Sequence, residues 1–218
     1  MAPGRVTVFV MPIDSLDQDR LHAAAAILAE RDPDLGGILV RLGSPPLWHR
    51  PRGLETLIAI VLEQQVSLAS GAAALERLRR AGGSLDPGTI AALGEEGARA
   101  AGLTRQKARY VVGLAEAALD GRFDPATIAA ASDDEARDGL TALLGVGRWT
   151  ADIYLLTALG RPDIWPAGDL ALAVALRRAK RLATIPDAAA QRSIAERWRP
   201  WRAVAARLLW HAYLAGER

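Results

Sequence analysis

Residues 143–151 read Leu143-Leu144-Gly145-Val146-Gly147-Arg148-Trp149-Thr150-Ala151. An apolar run from Gly139 to Leu144 meets two glycines flanking one aliphatic residue, and a helical pattern resumes at once. Glycine lets the backbone turn sharply and approach a ligand closely, because no Cβ stands in the way. The stretch is therefore predicted to be a helix, a hairpin and a second helix. The first turn of that second helix offers amides without intrahelical partners and the positive end of a dipole, a seat for an anion such as phosphate. Arg148 can add a charge-assisted contact. Taken alone, the two glycines favour an ordinary interhelical turn, so their meaning depends on the surrounding chain.

Downstream, Thr150 to Leu159 is apolar on most sides, which implies burial in a multi-helix core. The irregular segment Gly160–Gly168 follows, and Asp169 stands at the mouth of a helix running to Arg181. An aspartate there can serve simply as an N-cap. Asp187 caps a further helix over 188–198, and a last helix covers 201–214 after Pro200.

Upstream, Ser132-Asp133 and Asp124-Pro125 start two helices. Thr104 caps another whose first turns carry Arg105, Lys107 and Arg109, where cations oppose the helix dipole unless an anion lies near. Asp86-Pro87 begins a short helix to Leu93, and a second short helix precedes Gly102. A strong helix from Leu54 runs into Glu63-Gln64-Gln65-Val66-Ser67. Adjacent glutamines between buried helices need partners for their amides; they read either as a polar helix end or as a loop that reaches a base pair. Ser44–Gly53, with Pro45, Pro46 and Pro51, is a loop. Asp32-Pro33 opens a helix ending near Gly43, and Asp14 or Ser15 caps one through Leu21 to Ala29. Residues 5–10 alternate weakly, as a short strand or an extended lead-in would.

The whole chain has 218 residues, half of them hydrophobic, enough for a sizeable core. Alanine, leucine and arginine dominate while tyrosine and phenylalanine are sparse, which favours helix. About ten short helices in an all-α bundle are expected. Cysteine is absent, excluding disulfides, thiolate zinc sites and cysteine-ligated iron–sulfur clusters. His22, His49 and His211 form no metal-ligand spacing. With no apolar run long enough for a bilayer and no secretory leader pattern, a cytoplasmic protein without membrane contact is expected. From Thr141 to the end twelve lysines and arginines face six carboxylates, an asymmetry suited to a polyanion.

The hairpin, followed by Pro166-Ala167-Gly168-Asp169, resembles the helix–hairpin–helix motif and following catalytic aspartate of the base-excision DNA glycosylase superfamily. The 3-methyladenine DNA glycosylase II branch is the nearest in pattern. Glu63 to Ser67, Gly102 to Ala108 and Ala195 to Arg202 match in the same order, so the resemblance spans about residues 50–215. It implies a compact two-lobed helical fold with a cleft between lobes. The mixed α/β domain of larger members is too long for the first 50 residues, so a single unit is expected, with Leu21–Leu42 packing on the helical core.

The resemblance also implies site roles. Asp169 is the catalytic carboxylate. Trp149 stands where strand-cleaving members carry a nucleophilic lysine, which implies simple hydrolysis, and it lines the base pocket with Trp210; a pocket tyrosine of the family falls at Ile153. Trp198 and Trp201 are expected in the core. Gln65, assisted by Gln64, fills the gap left by a flipped base. Gly145, Val146, Gly147, Arg148, Thr150 and Lys107 bind phosphates, and the carbonyls of Thr141, Leu143 and Val146 hold a structural Na+ or K+, with no other cofactor. The implied protein is a monomer acting on alkylated purines in double-stranded DNA of the nucleoid. Other readings are a non-catalytic helix–hairpin–helix module, a glycosylase for oxidised or deaminated bases, and an all-helical protein-interaction domain.

Overall fold

Nine of the twelve α-helices among the described residues begin at an Asp, Ser or Thr whose side chain accepts a first-turn amide. Each such cap satisfies a donor that the helix itself cannot. The computed structural model describes residues 15–216. In order the helices are α1 (Gln18–Arg31), α2 (Pro33–Leu42), α3 (Leu54–Glu63), α4 (Leu68–Gly82), α5 (Pro87–Ala100) and α6 (Arg105–Leu119). They continue as α7 (Pro125–Ala130), α8 (Asp133–Thr141), α9 (Arg148–Thr157), α10 (Leu170–Ala179), α11 (Ala188–Ala195) and α12 (Arg202–Leu214), with one 3-10 turn at Glu196–Trp198.

Most expected boundaries are found. The two short helices before Gly102 are found within α5, separated at Gly94, whose φ of +66° and ψ of 178° are not helical. Three expectations need correction. The cap of α1 is Asp17, which accepts the Arg20 amide at 2.8 Å; Ser15 instead leads into Leu16, whose amide donates to Gly160 O at 2.8 Å. Asp14 and the extended lead-in at 5–10 lie outside the described residues. Helix α10 stops at Ala179 because Arg181 takes a left-handed φ of +52°, and α11 ends at Ala195, giving way to a 3-10 turn over Glu196–Trp198.

Two lobes result. In one, α3 packs on α4, α6 and α9, while α5 lies on α4 and α6, and α8 lies on α9. In the other, α12 packs on α1, α2 and α10. The apolar stripe of α3 and nearly every side of α9 and α12 are buried, so these three helices form the centre. Trp198 is fully buried, and Trp201 is half-buried against the same core.

Asp32 joins the second lobe. It caps α2, accepts Trp198 Nε1 at 2.8 Å and receives Lys180 Nζ at 2.6 Å, while Lys180 also reaches Asp34 at 2.8 Å. Burial pushes the Asp32 carboxyl up, but the hydrogen bonds from Lys180 and Trp198 outweigh it and hold the carboxyl below its ordinary value. A folded-state pKa below the unfolded one stabilises the protein above the unfolded pKa of about 4. That stabilisation is lost as pH falls through the folded value. Removing one partner of a buried pair costs about 3–5 kcal/mol, and Lys180 keeps Asp34. Asp32→Asn should therefore lower stability at pH 7 by about 3 kcal/mol and flatten the acid limb of the stability curve. Urea melts from pH 7 down to pH 3 measure both effects.

Candidate functional site

The hairpin is built by one conformational demand and one clamp. Gly145 has φ +81°, and a Cβ there would sit 2.3 Å from the Tyr110 ring, so both backbone and packing require glycine. The clamp is Arg137 of α8, whose Nε donates to Asp152 of α9 at 2.7 Å, with Asp152 only 1% exposed. Leu143 O accepts the Val146 amide at 3.1 Å, closing the turn, and Val146 is buried beneath it. Gly147 differs from Gly145. Its φ is −86° and nothing lies within 4 Å of a Cβ added there. Gly147 caps helix α9 without a side chain, so no side-chain oxygen takes up its first-turn amides, and Arg148 beside them is exposed. Arg148 Nε stands 3.9 Å from Asp152 Oδ2. The carbonyls of Thr141 and Val146 accept no loop or cap amide among the described residues, whereas that of Leu143 takes the Val146 amide.

Three expected contact residues serve the frame instead. Gln64 Nε2 donates to Gly145 O and to Thr150 Oγ1, each at 2.9 Å. The side chain of Gln64 thus latches the α3–α4 loop to the hairpin. Thr150 is 2% exposed, so its hydroxyl is sealed from a backbone phosphate. Lys107 Nζ donates to Leu62 O at 2.6 Å and Gln64 O at 3.1 Å. It satisfies carbonyls at the end of α3, where a cation also suits the dipole, and burial pushes its ammonium down from the ordinary lysine value. Gln65, between these anchors, is exposed and held at φ +58°.

Asp169 is indeed an N-cap, and more. Its Oδ1 accepts the Leu172 amide at 2.8 Å, beginning α10. The same oxygen accepts Trp210 Nε1 at 3.2 Å, and Oδ2 accepts Trp149 Nε1 at 3.0 Å. Both indoles are half-buried. Gly168, at φ +94°, turns the chain into the cap, and its amide donates to Gln191 Oε1 at 3.2 Å. Ile153, buried, lies one helical turn beyond Trp149 on the same face of α9. The structure therefore brings Trp149, Trp210 and Asp169 together where α9 of one lobe meets α10 and α12 of the other. Such an arrangement supplies a fixed negative charge beside two electron-rich rings.

Sequence reasoning missed Trp48 and Arg207. Trp48 lies edge-on to Trp210 with ring centroids 6.5 Å apart, and Arg207 is fully buried. The available signals were a tryptophan inside a proline-rich loop and an arginine inside an apolar helix.

Comparison with known proteins adds four findings. A family model described as HhH-GPD superfamily base excision DNA repair protein matches residues 58–200, a span that contains Gln65, the hairpin and Asp169. DNA-3-methyladenine glycosylase 1 of Schizosaccharomyces pombe is 31% identical over 160 residues, covering 72% of this chain and 70% of that protein. The structure of the S. pombe 3-methyladenine DNA glycosylase Mag1 in complex with abasic DNA superposes with a TM-score of 0.78. Its identity is 27%, over 86% of this chain and 95% of that one. A probable bifunctional transcriptional activator/DNA repair enzyme AlkA of Mycobacterium tuberculosis is 32% identical over 220 residues; the match covers 89% of this chain and 40% of that relative. The chain thus spans well under half the length of the M. tuberculosis relative. On the span matched and the identities found, the chain belongs to the HhH-GPD superfamily of base excision DNA repair proteins.

Proposed function

We propose that the protein is a monofunctional DNA glycosylase that hydrolyses the N-glycosidic bond of flipped-out alkylated purines, of the 3-methyladenine and 7-methylguanine type, in duplex DNA. The observation that carries this reading is the Asp169 carboxylate held by the Trp149 and Trp210 indoles beside an uncapped helix start at Gly147. A carboxylate held only as a cap needs no indole donors on both oxygens.

Alkylation at N3 or N7 places positive charge on the purine and makes it a good leaving group. The C1′–N bond breaks with its electron pair going to the base, and oxocarbenium character develops on the sugar. A carboxylate near C1′ stabilises that charge and orients a water, whose oxygen bonds to C1′ as its proton passes to the carboxylate or to solvent. Asp169 has this role, and its donors keep it aimed rather than free to rotate. The faces of Trp149 and Trp210, with Ile153 beyond, receive the cationic base, each ring contributing about 0.5–2 kcal/mol through stacking and cation–π attraction. Gln65, exposed on a braced loop, enters the gap left in the duplex. Gly145, Val146, Gly147 and Arg148 grip the backbone, and the Thr141, Leu143 and Val146 carbonyls are the seat of a monovalent cation. An indole at position 149 offers no amine for a Schiff base, and Lys107 is committed to two carbonyls.

Three outcomes test this reading. Asp169→Asn should lower base release from alkylated duplexes by at least about 100-fold while gel-shift affinity for duplex changes little; unchanged turnover would remove the carboxylate from the chemistry. Borohydride added during turnover should trap no protein–DNA adduct, and the product should be an abasic site without a nick; a trapped adduct would show lyase chemistry. Gly147→Ala should leave the melting temperature unchanged, because its φ is ordinary and its surroundings open. The added methyl should nevertheless weaken duplex binding about tenfold at low salt by holding phosphate off the amides. Unaltered affinity, or affinity independent of salt in the wild type, would rule out the phosphate grip.

A further inference from the structure

The loop 44–53 takes no part in the mechanism above, yet it is tied down along its whole length. Pro45 O accepts Gln18 Nε2 at 3.3 Å, and Leu47 O accepts Arg207 Nε at 2.9 Å. The Arg50 amide donates to Thr157 O at 3.0 Å, Thr56 Oγ1 donates to Pro51 O at 2.6 Å, and the Gly53 amide donates to Tyr154 Oη at 3.0 Å. Arg207 is the unusual anchor. It is completely buried in α12, and burial pushes its guanidinium down to about 10, still charged at neutral pH. Its other hydrogen bonds also go to carbonyls, with Nη1 donating to Ala203 O at 3.1 Å and Nη2 to Leu156 O at 2.9 Å. A buried cation held by carbonyls is retained against a desolvation penalty, so its grip on Leu47 is firm.

Trp48 follows directly, with φ +48°. A bulky residue in the left-handed region is sterically disfavoured and persists only where its surroundings over-determine it. The twist aims one ring. Trp48 lies edge-on to Trp210 at 6.5 Å and 75°, and to the neighbouring His211 at 6.4 Å and 83°. Trp210 is the indole that donates to Asp169 Oδ1.

We propose that Trp48 is a positioning residue: its ring, fixed by the Arg207-anchored loop, holds the Trp210 indole at the angle at which Nε1 meets Asp169. Trp48 itself need not touch the base. Only the activity arm of the test rests on the glycosylase reading. Aromatic edge contacts of this kind are directional, so a substitute ring restores them and an aliphatic filler does not.

Trp48→Gly is the informative variant, because it removes the ring while favouring the left-handed backbone. With tryptophans labelled with 15N, the Trp210 indole N–H resonance, assigned through Trp210→Phe, should move and exchange faster in Trp48→Gly. The Trp149 resonance should stay in place, and Trp48→Phe should return Trp210 towards its native position. In base release, Trp48→Gly should lower kcat about tenfold with little change in KM, and Trp48→Phe should recover most of it. In a Trp210→Phe background the same Trp48→Gly change should have no further effect, since the two residues act through one hydrogen bond. An unmoved Trp210 resonance, or losses that simply multiply in the double variant, would overturn the proposal. If the wild type releases no base from any alkylated duplex, the glycosylase reading fails, and the resonance measurement still decides the role of Trp48.

Discussion

One carboxylate collects hydrogen bonds from three helices that are distant in sequence. Asp169 takes its own helix amide at Leu172, the Trp149 indole from α9 and the Trp210 indole from α12. Taking an ionised carboxylate partly out of water is unfavourable unless donors replace its hydration. The two indoles can supply those donors only if the lobes keep a fixed relation. The requirement thus runs outward into the fold: α9 must start where the hairpin sets it down, and α12 must lie where Arg207 and the second lobe hold it.

A division of labour follows from the same constraint. Three polar side chains near the hairpin carry the frame. Gln64 bonds the hairpin, Thr150 receives that bond, and Lys107 closes the end of α3. What is left is the start of α9, which carries no side-chain cap, with the exposed Arg148, and the exposed side chain of Gln65. Backbone amides and a braced loop are stiff, so less freedom is lost when a ligand orders them. The bracing also links the Gln65 loop and the hairpin, because Gln64 touches the hairpin with its side chain and Lys107 with its carbonyl.

Much of the fold was legible in the residues because it is written locally. Asp-Pro and Ser-Asp pairs mark helix starts, Gly43 and Gly83 mark ends, and the 3.6-residue apolar period marks faces. The glycine hairpin belongs to the same class, since Gly145 needs a positive φ that few other residues tolerate. Where the local signal was ambiguous the readings drifted by a turn. Asp17 displaced Ser15 as a cap, and α10 ended two residues early at Ala179 because Arg181 turns left-handed.

The sequence by itself determined the helical class, the hairpin and the presence of a carboxylate at the mouth of α10, because propensity, capping and glycine geometry act within a few residues. The tertiary structure alone decided which polar groups are free. Gln64, Thr150 and Lys107 look like ligand contacts when read along the chain, and each is bound to another part of the protein. Trp48 looks like filler in a loop, and it stands against Trp210 more than 160 residues away. Hydrogen bonds and ring contacts of this kind join residues 43 to 162 positions apart, where no local periodicity records them, and only folding brings both partners into the same few ångströms.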